Sequence, residues 1–147
     1  MLSGRITHAI VRLIDRIPAK ANEATASHLH TGRRGEEDAY FFLRKRGYVM
    51  VARNFRSPRH HGEIDLIGWD KNVLCFIEVK TRTTRDVKPA EAAVDRKKRR
   101  DLRKVIGEYL RGFSELPPWR FDVLAVQYGG GSPHPRFELF QNAALSS

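Results

Sequence analysis

Four charged residues stand where two short apolar strands would ordinarily carry neutral ones. Glu63 and Asp65 lie in Gly62-Glu63-Ile64-Asp65-Leu66-Ile67, and Glu78 and Lys80 in Phe76-Ile77-Glu78-Val79-Lys80. Side chains alternate along a strand, so Glu63 and Asp65 share one face, as do Glu78 and Lys80. Between the runs, Trp69-Asp70-Lys71-Asn72-Val73 is a polar break of the kind that joins antiparallel strands. With Lys71 and Asn72 as the loop, the register predicts Asp65 opposite Glu78 and Glu63 opposite Lys80, all on one face. Directly opposed carboxylates repel, and a divalent cation would relieve them. Hard cations such as Mg2+ take oxygen ligands, often one or two carboxylates completed by water and phosphate, which suits phosphodiester hydrolysis.

The competing reading is a solvated face laced with cross-strand salt bridges. Against it, Ile64, Leu66, Cys75, Ile77 and Val79 make the opposite face apolar, while Ile67, Leu74 and Phe76 lie on the charged face itself. Both faces are therefore expected to be covered, and bare charge does not belong on such strands.

The flanking elements must position this hairpin. A helix is predicted from about Thr31-Gly32-Arg33-Arg34-Gly35 to Lys45 or Arg46, ending at Gly47, with Ala39, Phe42 and Leu43 as its apolar stripe. Glu36 falls on the sheet side of it, where two roles are open: an acid at the helix N-terminus, or a further carboxylate reaching the hairpin. Tyr48 to Arg56 reads as a strand, followed by the loop Ser57-Pro58-Arg59-His60-His61. Neighbouring histidines point apart, so backbone contacts of Arg59, His60 or His61 to phosphate are favoured over a histidine metal site. A second long helix is predicted from Pro89 to about Gly112, then strands over Arg120 to Tyr128 and Arg136 to Phe140, the last at an edge. Asp122 is read as a partner of Arg120 ahead of a member of the acidic site. The expected fold is α/β, a mixed sheet of about five strands flanked by helices.

The chain of 147 residues is long enough for one core, and its hydrophobic content of 41% argues against wholesale disorder. Residues 1–31 are expected to form an extension, an amphipathic helix over about Ser3 to Ile17 followed by a linker, and residues 32–147 the main domain. Lys plus Arg number 27 against 17 Asp plus Glu, a net charge of +10. That excess points to a polyanionic partner, most simply nucleic acid, with an acidic membrane surface met by the N-terminal helix as the minor alternative. The single cysteine, Cys75, excludes an intrachain disulfide and is expected to be a buried inert thiol. The run Arg96 to Arg100, interrupted at Asp101 and resumed at Arg103 and Lys104, makes a phosphate-binding helix surface.

Gly35-Glu36, Gly62-Glu63-Ile64-Asp65-Leu66-Ile67, Glu78-Val79-Lys80-Thr81-Arg82 and Arg120-Phe121-Asp122-Val123, in that order and spacing, resemble the YraN (UPF0102) family. More broadly they resemble the PD-(D/E)xK nucleases, whose restriction-endonuclease-like fold is shared by archaeal Holliday junction resolvases. The match runs from about Gly32 to Ala144. The resemblance implies Mg2+ or Mn2+ held by Asp65 and Glu78, Glu36 assisting through water, and Lys80 orienting the attacking water and stabilising the phosphate. Glu63 and Lys98 are further candidates for the site. Arg33, Arg34, Arg56, Arg59 and Arg82, with Lys97, Lys98, Arg99 and Arg100, are the expected contacts to nucleic acid. The function implied is a cytoplasmic, metal-dependent DNA endonuclease, acting on branched DNA in one version. The alternative is a non-catalytic nucleic-acid-binding protein on the same fold, and a homodimer is left open.

Overall fold

The computed structural model describes residues 24–83 and 92–145, with side chains over 30–83 and 96–145. The expected helix over Ser3 to Ile17 and the expected helix start at Pro89 lie outside the described residues. The element order is α1 (Ala24–Lys45), β1 (Val49–Arg56), β2 (Glu63–Asp70), β3 (Val73–Thr83), α2 (Ala92–Leu110), β4 (Trp119–Gly129) and β5 (Ser132–Phe140). The strands form one mixed sheet in the order β1-β2-β3-β4-β5. Neighbours are antiparallel except β3 and β4, which run parallel with α2 as their crossover. This is the α/β architecture expected, a five-stranded mixed sheet with helices packed on it.

β3 is the central strand, and its run Leu74 to Lys80 is buried on both faces. On one face Ile67, Leu74, Phe76, Phe121 and Val123 pack with Leu102, Val105 and Ile106 of α2. On the other, Leu66, Cys75, Ile77, Val79, Leu124 and Val126 pack with Ala39 and Leu43 of α1. Both faces are thus covered. Cys75 is fully buried, and desolvation pushes its thiol up to about 12, the inert cysteine expected.

The hairpin register agrees with the sequence over five pairs, from Asp70↔Val73 to Leu66↔Ile77, with Lys71 and Asn72 as the loop and Lys71 at φ 56°. It departs beyond Leu66. Asp65 is not a ladder partner of Glu78, and Glu63 does not face Lys80, because β3 leaves β2 there while keeping its parallel partner β4 as far as Thr83↔Tyr128. Alternation breaks at the same point: Ile64, expected beside Leu66, packs with Phe76 on the α2 face. Asn54, between the pairs Arg53↔Leu66 and Phe55↔Ile64, takes φ 50° and lets the neighbouring strand follow this twist.

α1 begins at Ala24, a full two turns before the expected start near Thr31. No proline interrupts residues 24–31, and a helix held by packing at Ala39 and Leu43 extends through such a sequence by adding one hydrogen bond per residue. It ends as expected. Gly47 at φ 91° closes it, with Gly47 N–H donating to Arg44 C=O and Tyr48 N–H to Leu43 C=O, the paired bonds of a glycine helix stop.

Gly35 lets α1 approach β3: a Cβ there would stand 2.0 Å from Thr81 Oγ1 and 3.0 Å from Thr81 Cβ. Gly35→Ala would gain about 1 kcal/mol of helix propensity. Overpacking against a strand costs about 1–3 kcal/mol, and here the contact includes a Cβ that cannot rotate away. The expected net result is destabilisation of roughly 1 kcal/mol, read as a lower urea midpoint at unchanged slope. Thr81→Ala introduced with it should recover part of the loss.

Candidate active site

Where β2 and β3 part, the side chain of Asp65 bridges the gap. Its Oδ2 accepts the Val79 N–H at 2.7 Å, so a carboxylate replaces the main-chain carbonyl that a continued ladder would supply. This draws Asp65 across to β3 beside Glu78, which is only 4% exposed. One oxygen of Glu78, Oε1, accepts from two ammoniums: Lys80 Nζ at 3.0 Å and Lys98 Nζ. Lys80 lies on the same strand face two residues on, as alternation requires, and its side chain is 9% exposed. Lys98 comes from α2, in line with the buried Leu102 and Val105 at helical spacing, and its side chain keeps 45% exposure.

Glu36 arrives from the other helix. With α1 beginning at Ala24, Glu36 sits in mid-helix, so the reading as an acid at the helix N-terminus is overturned. Its Oε2 accepts from Asn54 Nδ2 at 3.1 Å, and the same amide donates to Glu63 Oε1 at 2.7 Å. Asn54 thus ties two carboxylates at the rim of the site. Sequence reasoning missed it, although an asparagine inside a strand run, in a residue type that tolerates positive φ, was the signal. Glu63 faces Arg56 across the β1–β2 ladder and forms an ion pair with it, instead of with Lys80.

The charges are unevenly shared. Burial, then the neighbouring Glu78 and Glu36 carboxylates, raise the Asp65 carboxyl well above the ordinary range, against the Val79 N–H and Lys98. Burial alone would raise Glu78 too, but Lys80 and Lys98 reverse this and hold it down at about 2. Desolvation lowers Lys80 despite its bond to Glu78, because Lys98 crowds it with a second positive charge. The site therefore holds one firmly ionised carboxylate, one half-buried acid crowded by like charge, and an ammonium of weakened basicity.

These donors suit a hard cation, being carboxylate oxygens with one half-buried acid, Asp65, set among like charges. Among the described residues, no three His, Cys, Asp or Glu side chains close into a ready-made metal cage. The fit is to an ion held by two carboxylates and otherwise by water and phosphate.

The expected nucleic-acid contacts divide by environment. Arg33, Arg34, Arg56, Arg59, Lys97, Lys98 and Arg100 are exposed and Arg82 is half-buried at the end of β3. Arg99 departs from the expectation: it is 6% exposed, turned from the helix surface toward the protein. Arg34 lies over the Tyr128 ring at 4.9 Å, and Arg59 Nε stands 3.8 Å from Glu108 Oε1. Asp122 is the structural residue expected, fully buried and bonded by Arg120 Nε. No described helix is long and apolar enough to cross a membrane.

Comparison with known proteins gives one consistent result. The model of UPF0102, described as an uncharacterised protein family, matches residues 35–126, which takes in Glu36, Asp65, Glu78, Lys80 and Lys98. A UPF0102 protein of Koribacter versatilis is 55% identical over 141 residues, 96% of each chain. One of Symbiobacterium thermophilum is 45% identical over 113 residues, 76% of this chain and 93% of its own. One of Solibacter usitatus is 45% identical over 96 residues, 65% of this chain and 73% of its own. The chain belongs to the UPF0102 family.

Proposed function

We propose that this UPF0102 protein is a metal-dependent nuclease that hydrolyses DNA phosphodiester bonds, with Asp65, Glu78, Glu36 and Lys80 as its working groups. The observation that carries the reading is the pairing of half-buried Asp65 with buried Glu78 at the strand split, with Lys80 Nζ 3.0 Å from the Glu78 carboxylate. A nearby Asp and Glu-x-Lys with no structural need for their charges would be costly to bury, and the net charge of +10 supplies attraction to a polyanion.

Asp65 and Glu78 would hold a divalent cation, Mg2+ or Mn2+, with Glu36 reaching it through water. When bound, such an ion neutralises charge on the phosphate and acidifies water. The chain's own groups do the rest. Glu78, kept ionised by two lysines, accepts hydrogen bonds and fixes Lys80. Lys80, with its basicity lowered by burial and by Lys98, donates to the attacking water oxygen and to a non-bridging phosphate oxygen as negative charge grows there. The water oxygen forms a bond to phosphorus and passes one proton to solvent, the bond to one ester oxygen breaks, and that oxygen takes a proton from solvent and leaves as an alcohol. Asn54 holds Glu36 and Glu63 at the rim.

Lys80→Ala should lower Mg2+-dependent cleavage at least ~10²-fold, as the loss of one preorganised donor does. The affinity for DNA in EDTA should change less than about twofold, since the exposed cations carry binding. A fluorescent-oligonucleotide cleavage series with Mg2+ or Mn2+ checks both. Cleavage unaffected by Lys80→Ala would remove Lys80 from the mechanism. A second reading, a non-catalytic DNA-binding protein, is favoured by the fact that Lys80 and Lys98 already neutralise Glu78. It predicts no cleavage and binding indifferent to Mg2+ and to Asp65.

A further inference from the structure

The sheet face that carries Glu78 and Lys80 does not end at β3. The parallel register sets Lys80 beside Ala125 and Arg82 beside Gln127, and the antiparallel register continues these rows to Glu138 and Arg136 on β5. Alternation keeps all of them on one side, because Val79, Leu124, Val126, Phe137 and Leu139 pack on the α1 face instead. Two rows thus cross the sheet side by side: Lys80, Ala125, Glu138, and Arg82, Gln127, Arg136. Ala125, Gln127, Arg136 and Glu138, with Phe137 between the last two, line an open hollow of about 360 Å³ at this edge of the sheet. The small Ala125, between longer neighbours, forms its floor. With strands ~4.8 Å apart, the far side of this hollow lies roughly 10 Å from Lys80, within one nucleotide of a phosphate held there.

We infer that this hollow receives an unpaired nucleobase next to the scissile phosphate, so that the protein prefers DNA with a single-stranded segment at the cut. The inference rests on the nuclease reading and deepens it. Charge separates the two parts of a nucleotide. Arg82 and Arg136 attract the backbone that leaves the site across the sheet, whereas Glu138 repels phosphate and suits the exocyclic amine of a base. Gln127, between the two arginines, offers a donor and an acceptor to a base edge. In a closed duplex those edges are paired and stacked, and a base reaches such a hollow only where it is already free or has been unstacked at a cost of a few kcal/mol.

The test is binding in EDTA, so that it does not depend on cleavage. Full-length protein is titrated into two labelled DNAs of equal charge, a closed duplex and a duplex with a single-stranded flap. Gln127 and Arg136 are exposed, and Ala125 is a strand position facing the hollow, so the variants should fold; circular dichroism checks this. The double variant Gln127→Ala/Arg136→Ala is expected to weaken flap binding about tenfold and duplex binding less than about threefold, one phosphate contact's share of the electrostatic attraction. Ala125→Phe, which fills the hollow without changing charge, should reproduce the flap-selective loss. Equal losses on both DNAs, or no effect of Ala125→Phe, would overturn this inference and leave the nuclease reading standing. Failure of the unaltered protein to bind either DNA would overturn both.

Discussion

Asp65→Asn is expected to abolish Mg2+-dependent cleavage, by at least ~10³-fold, and at the same time to make the metal-free protein more stable at neutral pH. The two effects have one cause. Asp65 is half-buried beside Glu78 of β3 and Glu36 of α1, with Lys98 of α2 the cation that opposes them and Lys80 engaged by Glu78. Its carboxyl is raised well above the ordinary range, so the native state binds this proton more tightly than the unfolded chain does. The favourable contribution is complete below the unfolded carboxylate value near ~3.9 and is lost as pH rises through the higher folded value. At pH 7 the acid is a liability to the fold, and asparagine, which still offers an oxygen to the Val79 N–H, removes it.

Thermal unfolding in EDTA should show Asp65→Asn melting several degrees above the unaltered protein at pH 7, with the gap closing toward pH 3. Added Mn2+ should raise the unaltered protein by the mass-action stabilisation of a native-state ligand and leave the variant where it was. A variant that melts lower at pH 7 would show that Asp65 is there for the fold. The same response to Mn2+ in both proteins would take Asp65 out of the ion's coordination.

The chemistry of this site was more legible in the sequence than its shape. Lys71 and Asn72 as a two-residue loop set the register that brings Asp65 and Glu78 to the same end of the hairpin, and apolar alternation then required both faces to be covered. The split of β2 from β3 was not legible, because a carboxylate that captures a main-chain N–H competes with the ladder that pattern reasoning assumes. Once Asp65 takes the Val79 N–H, Ile64 changes face and Glu63 turns to Arg56, neither of which period-2 alternation can express. Glu36 was ambiguous for a different reason. Its role depended on where α1 starts, and helix ends are set by packing and capping contacts that residues 24–31 do not advertise. Gly35 was visible as a glycine within a helix, but only its approach to Thr81 on β3 says why.

Arg120→Ala is expected to cost about 3–5 kcal/mol of stability, a large part of what a single domain has, while leaving the site chemistry to fail only with the fold. Arg120 Nε donates to both oxygens of Asp122 at 3.0 and 2.9 Å, and its Nη2 donates to Asp70 Oδ2 and to Tyr48 Oη, each at 2.9 Å. Asp122 is fully buried and also accepts the Asn142 N–H at 2.9 Å. One guanidinium thus joins the loop end of β2, β4 and the residue after the α1 stop, and through Asp122 the segment after β5. Asp70 and Asp65 are five residues apart on β2, so this network lies ~17 Å from the candidate site. Removing the arginine strands a buried carboxylate, which is where the cost arises, since a buried pair is worth little net but half of one is expensive. Burial already raises the Asp122 carboxyl, and without Arg120 the native state must protonate it or leave charge uncompensated. The stability deficit of Arg120→Ala should therefore shrink as pH falls from 7 toward 4. Arg120→Met combined with Asp122→Asn should recover more than half of it at pH 7, because the amide still accepts the Asn142 N–H and buries no charge. Urea unfolding at the two pH values measures both. A deficit independent of pH and untouched by the double change would mean that lost packing of the Arg120 stem, and not a stranded charge, holds these four segments together.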